Sequence, residues 1–251
     1  MADRWATFDC YGTLIDWNSG IRAEIERLWP PAATEQEEPD EAADEPEDAD
    51  EEGEDAEADE EPAEPEPDPE VEAKLREYHR IEPELQRDGK LTYREVMTEA
   101  MRRLGAPEGE EGGLAASLPS WEPFWEVPEA LEEARKRGWR LAILSNSDPD
   151  LIAASIEQIG VPFDEVIVAS EIGSYKPAFM HWLEFQARTR ADRRRHVHVG
   201  ASNYHDIVPA SKLRIPNVWI NRDNEAALTA PTVERDDLVD LADILDQLIP
   251  A

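Results

Sequence analysis

The chain of 251 residues contains a single cysteine, Cys10, which excludes an internal disulfide and suits a reducing compartment. Lysine is also scarce, supplying five of the 25 basic residues. The first residues, Met1-Ala2-Asp3-Arg4-Trp5, lack the apolar core of a signal peptide. No apolar run is long enough to cross a bilayer, so a cytoplasmic protein that avoids membranes is expected. Basic residues are missing altogether between Arg27 and Lys74. Within that gap, residues 35–70 are almost entirely Glu, Asp, Ala and Pro and hold 22 of the 59 acidic residues. A segment that repels itself and has nothing apolar to bury is expected to stay disordered. Setting it aside leaves 37 acidic against 25 basic residues, a net charge of −12. That balance disfavours nucleic acid and anionic lipid as partners. It would suit a salt-rich cytoplasm, although a GC-rich genome explains the preference for Arg equally well.

What is present is a set of short apolar, β-branched runs: Trp5–Cys10, Leu141–Ser145, Val166–Ala169, His196–Gly200 and Val218–Asn221. Runs of this length without alternation suit strands buried on both faces, hence a parallel sheet. Helical spacing lies between most of them. Pro128–Gly138 puts Ala130, Leu131 and Ala134 on one face. Asp148-Pro149 reads as a capping side chain followed by Pro at the first helical position, opening a helix through Ile152, Ile156 and Ile159 to Gly160. A last amphipathic helix carries Leu238, Leu241, Ile244, Leu245 and Leu248. Strands alternating with such helices predict an α/β fold, a doubly wound Rossmann-like parallel sheet. About 130 residues separate the first two strands, and helices are read there at Ile21–Trp29, Val71–Arg87 and Tyr93–Leu104. The last of these opens on a Thr92…Glu95 capping box. The expected organisation is a core of residues 1–16 and 119–251. An all-helical insertion, 17–118, is interrupted by the acidic tract 31–70.

Ligands of open parallel sheets bind beyond the carboxyl ends of the strands. The first strand is followed by Asp9-Cys10-Tyr11-Gly12-Thr13, the second ends in Ser145-Asn146, the third leads to Lys176-Pro177, and the fourth to Ala201-Ser202-Asn203-Tyr204-His205-Asp206. Each group alone has a plainer explanation. A strand-end Asp usually forms a turn or cap, a Lys-Pro pair usually sits in a surface loop, Asp206 could cap a helix, and Ser145-Asn146 could be an ordinary turn. Four such groups at four successive strand ends suggest one crevice. It would hold a nucleophilic carboxylate, a cation to keep it ionised, donors for an anionic substrate and a second carboxylate for water. Cys10 should face away from Asp9 into the packing. His196 and His198 alternate with valines and read as structural. His205 reads as a satisfied loop histidine, and Trp121, Trp125 and Trp139 as core or hinge packing.

Phe8-Asp9-Cys10-Tyr11-Gly12-Thr13-Leu14, Leu144-Ser145-Asn146, Tyr175-Lys176-Pro177 and Gly200–Asp206 resemble, in order and spacing, the four motifs of the haloacid dehalogenase-like superfamily. The helical insertion is similar to that family's cap domain. Metal-dependent phosphatases of the superfamily usually carry Asp two residues after the nucleophile and directly after the glycine of the fourth motif. Here those positions are Tyr11 and Ala201. The L-2-haloacid dehalogenase branch has the tyrosine and needs no metal, so the resemblance implies that branch, with no cofactor.

It further implies the following roles. Asp9 displaces halide from C2 of a small haloacid, giving an ester. Asp206 activates the water that hydrolyses it. Lys176 keeps Asp9 ionised, and Thr13 steadies the nucleophile loop. Ser145, Asn146 and the amides of Cys10 and Tyr11 receive the substrate carboxylate, and Asn203 orients Asp206 or the halide side. The arginine that such dehalogenases bring from the first cap segment is not in register: an acidic residue or Leu85 falls there, with Arg80 and Arg87 nearby. Where an aromatic hydroxyl is expected six residues after the lysine, the chain has Trp182. The expected partner is a small anionic molecule, and a homodimer is left open. Two alternatives stand beside this expectation: a Mg²⁺-dependent phosphatase of small phosphomonoesters, and a non-catalytic protein whose acidic tract binds basic partners.

Overall fold

The computed structural model describes residues 3–30 and 68–251; most of the acidic tract lies outside the described residues. Its last three residues, 68–70, begin a helix. Asp68 is the N-cap of a helix, its carboxylate accepting the N–H of Glu70 at 2.7 Å, and Pro69 opens that helix. A capping side chain followed by proline is a start signal that acidic composition had masked.

Six parallel strands form one sheet in the order β3-β2-β1-β4-β5-β6. They are β1 (Arg4–Phe8), β2 (Trp139–Ser145), β3 (Glu165–Val168), β4 (His196–Gly200), β5 (Asn217–Ile220) and β6 (Val233–Arg235). The five expected strands are present, β4 with the expected bounds and the others with at least one end shifted by one or two residues. The sixth is three residues long and mostly exposed, too short and polar to read as an apolar run. β1 lies between β2 and β4, with Ala6 opposite Leu141 on one side and Val197 on the other. Its side chains alternate between the two faces. Ala6 and Phe8 join a cluster with Leu141, Ile143, Val197 and Val199, whereas Trp5 joins Ala142, Leu144, Ile167, Trp182 and Phe185. Apolar packing on both faces makes the sheet doubly wound.

Between β1 and β2 lie α1 (Trp17–Leu28), α2 (Pro69–Gln86), α3 (Tyr93–Arg103), α4 (Gly113–Ser117) and α5 (Val127–Lys136). After β2 come α6 (Pro149–Ile159), α7 (Ala169–Ile172), α8 (Met180–Thr189), α9 (Val208–Lys212) and α10 (Leu241–Leu248). Helix α2 packs against α1 and α3, and α4 against both α3 and α1. Their apolar faces (Ile21, Ile25, Leu75, Tyr78, Val96, Met97) belong to the same continuous cluster as Ala6 and Phe8.

Two local expectations change. Asp148 is the N-cap of α6 by position, but its side chain makes no bond there. Its carboxylate reaches α3 instead, accepting the N–H groups of Tyr93 at 3.0 Å and Arg94 at 2.9 Å. Thr92 and Glu95 form the expected capping box. The first three N–H groups of α3 are thus all bonded, two of them by a residue from beyond β2, which ties the inserted helices to the sheet. Trp121 and Trp139 are buried, but Trp125 is 81% exposed and is neither core nor hinge. It lies in the turn just before α5, where the chain runs over the surface.

Candidate active site

Asp9 directly follows β1 and is only 8% exposed. Its carboxylate is held from two sides: Oδ1 lies 2.7 Å from Lys176 Nζ, and Oδ2 accepts the Thr13 hydroxyl at 3.0 Å. Thr13 Oγ1 in turn accepts the N–H of Ala201 at 2.8 Å, so one hydroxyl joins the nucleophile loop to the turn after β4. That loop reverses at Gly12, whose φ of +84° disfavours any side chain.

Asp206 is fully buried. Its Oδ1 lies 2.7 Å from the same Lys176 Nζ and its Oδ2 accepts the N–H of Ser202 at 3.2 Å. Asp206 approaches the backbone so closely that a Cβ on Gly200 would sit 2.6 Å from its side chain, which explains the glycine ending β4. The expected convergence of Asp9, Thr13, Lys176 and Asp206 is therefore present, with one ammonium shared by two carboxylates. Lys176 owes its placement to Asn146. Oδ1 of Asn146 accepts the Lys176 N–H at 2.6 Å while its Nδ2 donates to the Lys176 carbonyl at 3.2 Å.

The two carboxylates titrate in opposite directions. Burial pushes Asp9 above the usual carboxylate range; the Lys176 charge opposes this and the charge of Asp206 adds to it. Burial acts on Asp206 as well, but there Lys176 and the contact with His198 outweigh it and hold the group well below that range. Burial disfavours the charged form of Lys176, yet the two carboxylates raise its proton affinity overall. The ammonium and each carboxylate thus stabilise one another, while the two carboxylates oppose each other.

Behind Asp206 stands a chain the sequence did not reveal. His198 Nε2 lies 3.4 Å from Asp206 Oδ1, and Thr7 Oγ1 bridges His198 Nδ1 at 2.9 Å and His196 Nε2 at 2.7 Å. Both histidines are buried, and burial depresses both, His196 to about 3. They are structural, as expected, but His198 also supports an active-site carboxylate. Trp182, at the position expected to carry a hydroxyl, packs edge-on to His198 with centroids 5.0 Å apart.

A cavity of about 250 Å³ opens beside Asp9, Lys176 and Asp206. Of the expected contact residues, Tyr11, Ser145 and Asn146 line it. The buried hydroxyl of Ser145 meets no protein partner among the described residues. Cys10 does not line it; its side chain is buried in the apolar cluster, and burial pushes its thiol well up. The Tyr11 hydroxyl lies 3.2 Å from Ser155 and its ring stacks on Tyr93, so it offers the cavity a ring rather than an acid.

Asn203 is the correction. Its Nδ2 donates to the Thr229 carbonyl at 3.1 Å, and its Oδ1 accepts the N–H groups of Leu228 and Thr229. Its Oδ1 and one of its two N–H groups are committed to that loop, and it neither bonds Asp206 nor lines the cavity.

The inserted helices supply the opposite wall. His79, Glu82 and Gln86 of α2 and Tyr93 of α3 line the cavity, together with His205. Gln86 Oε1 accepts Asn146 Nδ2 at 3.2 Å, linking α2 to the segment that holds Lys176. His79 stacks on Trp17 at 4.9 Å, and Nδ1 of His205 lies 3.0 Å from the Ser202 hydroxyl. Neither Arg80 nor Arg87 lines the cavity. Arg80 pairs with Glu77 and Glu84 on the outer surface, and Arg87 is exposed. The acidic residue that faces Asp9 is Glu82, which burial pushes up to about 7. Its signal was the spacing His79–Glu82–Gln86 beside the apolar stripe Leu75–Tyr78–Ile81–Leu85, but acidic residues on a helix ordinarily read as a solvated face.

Comparison with known proteins bears on the family and the fold. The model of a family described as haloacid dehalogenase-like hydrolase matches residues 4–212. The chain is 35% identical over 102 residues to the (S)-2-haloacid dehalogenase of Pseudomonas sp. (strain YL), covering 40% of this chain and 44% of that protein. It is 32% identical over 124 residues to haloacetate dehalogenase H-2 of Moraxella sp. (strain B), covering 48% and 54%. The chain thus spans about half the length of the curated relatives it matches. Its fold is similar to that of the L-2-haloacid dehalogenase from Xanthobacter autotrophicus with chloropropionic acid covalently bound. That likeness has a TM-score of 0.71 at 16% identity over 97% of this chain and 98% of that one.

Proposed function

Because the chain belongs to the haloacid dehalogenase-like hydrolases, we propose that it hydrolytically removes halide from a small L-2-haloacid, with Asp9 as covalent nucleophile. The observation that carries this reading is the single ammonium of Lys176, 2.7 Å from both Asp9 and Asp206, at the edge of a cavity large enough only for a small molecule. The relatives named for action on 2-haloacids and haloacetate, and the neighbour holding chloropropionic acid covalently, support the same chemistry.

In the first step an Asp9 oxygen attacks C2 opposite the halogen. A C–O bond forms, the C–X bond breaks, and halide leaves with the bonding pair. Lys176 and Thr13 fix the carboxylate for in-line attack. The substrate carboxylate is received by the free Ser145 hydroxyl and the N–H groups of Cys10 and Tyr11, which have no acceptor among the described residues. In the second step water adds to the Asp9 carbonyl carbon. The ester C–O bond breaks on the aspartyl side, so the 2-hydroxy acid keeps the original Asp9 oxygen and Asp9 keeps the oxygen from water. Asp206, with its depressed proton affinity, orients and polarises that water by accepting its hydrogen bond; one water proton passes to the departing oxygen of the 2-hydroxy acid and the other is released to solvent. The inserted helices α1–α4 act as the cap that closes the cavity and excludes bulk water.

We further propose that the reaction needs no metal ion. A hard dication would look for oxygen ligands, but Ala201 provides no side-chain oxygen, and the two carboxylates already share Lys176. The test measures chloride release from (S)-2-chloropropionate and phosphate release from small phosphomonoesters, each with and without EDTA. Chloride release that survives EDTA, and is not raised by Ala201→Asp, is expected. Phosphate release that vanishes with EDTA and returns with Mg²⁺ would replace this reading with a phosphatase.

A further inference from the structure

Electrostatic balance in the cavity limits how a second carboxylate can enter it, an inference that rests on the dehalogenase reading above. Asp9, Asp206 and Lys176 together carry one excess negative charge. Helix α2 adds a third carboxyl, Glu82, 6% exposed and lining the same cavity. No arginine lines it, since Arg80 on the same helix is turned outward to Glu77 and Glu84. A substrate carboxylate therefore meets a buried carboxyl with no unshared cation between them. Two carboxylates sharing a buried site cannot both stay ionised; one keeps a proton.

We propose that Glu82 determines specificity at this site by holding a proton when a haloacid is bound and donating it in a hydrogen bond to the substrate carboxylate. The acid then binds together with one proton. A carboxyl-to-carboxylate bond of this kind is short and strong.

Burial and the charge of Asp9 favour the protonated form of Glu82, and they outweigh the hydrogen bond from Tyr93, which favours the ionised one. Burial has brought its own proton affinity to about 7, so little is needed to keep it protonated. Tyr93 of α3 and Tyr78 of its own helix are phenols that burial keeps neutral, as is Tyr175 before Lys176. Burial also depresses His79 and His205, the latter to about 4, so neither supplies a cation near neutrality. Lys176 is committed to Asp9 and Asp206. Tyr11 is neutral, and exposed Glu225 at the cavity edge adds only negative charge.

The test compares (S)-2-chloropropionate with the neutral 2-chloropropionamide from about pH 6 to about pH 9, following chloride release. Above neutrality the free enzyme must take up a proton to bind the acid. KM for the acid then rises toward about tenfold per pH unit, with kcat little changed by this group. The amide carries no charge, so its KM, or its Ki against the acid if it is not turned over, stays flat. Glu82→Gln keeps the shape and removes the ionisation, and it should flatten KM for the acid. Three results would overturn the proposal: a flat acid KM in the native protein, parallel rises for both probes, or the same slope in Glu82→Gln. Chloride from neither probe would overturn the dehalogenase reading itself, whereas chloride from the acid at a flat KM overturns only the role of Glu82.

Discussion

The carboxylate of Asp148 stands at the start of α6 yet accepts the backbone N–H of Tyr93, 55 residues earlier, at 3.0 Å. Tyr93 itself lines the cavity beside Asp9, so a residue following β2 sets the position of a wall contributed by the inserted helices. Because the same carboxylate also takes the N–H of Arg94, Asp148→Ala removes a cap from α3 while leaving α6 no side-chain bond to lose. The expected cost is about 1–2 kcal/mol of stability, the usual range for a lost N-cap. Urea unfolding measures it. A change within about 0.3 kcal/mol would mean that this tether does not hold the inserted helices.

The second expectation concerns acid pH. Asp9 must be a carboxylate to attack, and burial has raised its proton affinity. On acidification kcat/KM should therefore fall at a pH above that of an ordinary aspartate. Asp206 is shifted the other way, so it stays ionised throughout and adds no limb of its own. Its contribution to folding is present above the ordinary aspartate range and is lost only as pH falls through its depressed native value. The pH dependence of kcat/KM reads the free enzyme, the state to which this shift belongs. A limb at or below pKa 3.8, the ordinary value for Asp, would contradict the direction given for Asp9.

Lys176 tests the shared ammonium. Replacing it by Met leaves Asp9 and Asp206 buried with no cation between them. Removing one partner of a buried ion pair costs about 3–5 kcal/mol. Uptake of a proton by one carboxyl relieves part of that cost at low pH. Lys176→Met should therefore be strongly destabilised at neutral pH and lose less stability near pH 5, with turnover reduced at least about a hundredfold. Equal loss of stability at both pH values would argue that the lysine contributes packing rather than charge.

The parts of this molecule visible in the sequence share a physical cause. Asp9 and Ser145 stand out because polar residues end or directly follow apolar runs that a buried parallel sheet demands, and Lys176 and Asp206 because they lie in the segments beyond the next two runs, where such sheets bind ligands. The capping box of Thr92 and Glu95 is a local motif and could be read locally. Contacts that join distant segments could not. The carboxylate of Asp148 looks like a cap for the helix it precedes, and only the fold carries it to α3. Asn203 lies within the fourth motif, but its amide is held by Leu228 and Thr229, residues with no sequence mark. Glu82 and Gln86 share the polar pattern of a solvated helix face, and the packing of α2 over the sheet turns that face to the cavity. Trp125 was misread for the converse reason: an aromatic residue near a strand is usually core, and here the turn leaves it outside.

The central claim is that an oxygen of Asp9 is exchanged in the reaction, and a single turnover in H₂¹⁸O tests it most directly. With enzyme in excess over (S)-2-chloropropionate, water attacks the aspartyl carbon of the ester. Peptide mass spectrometry should then find one ¹⁸O in the peptide carrying Asp9 and none in the first-turnover hydroxy acid. Asp9→Asn should release no halide. Label confined to the hydroxy acid, with Asp9 unlabelled, would mean that water attacks C2 directly and would contradict the account.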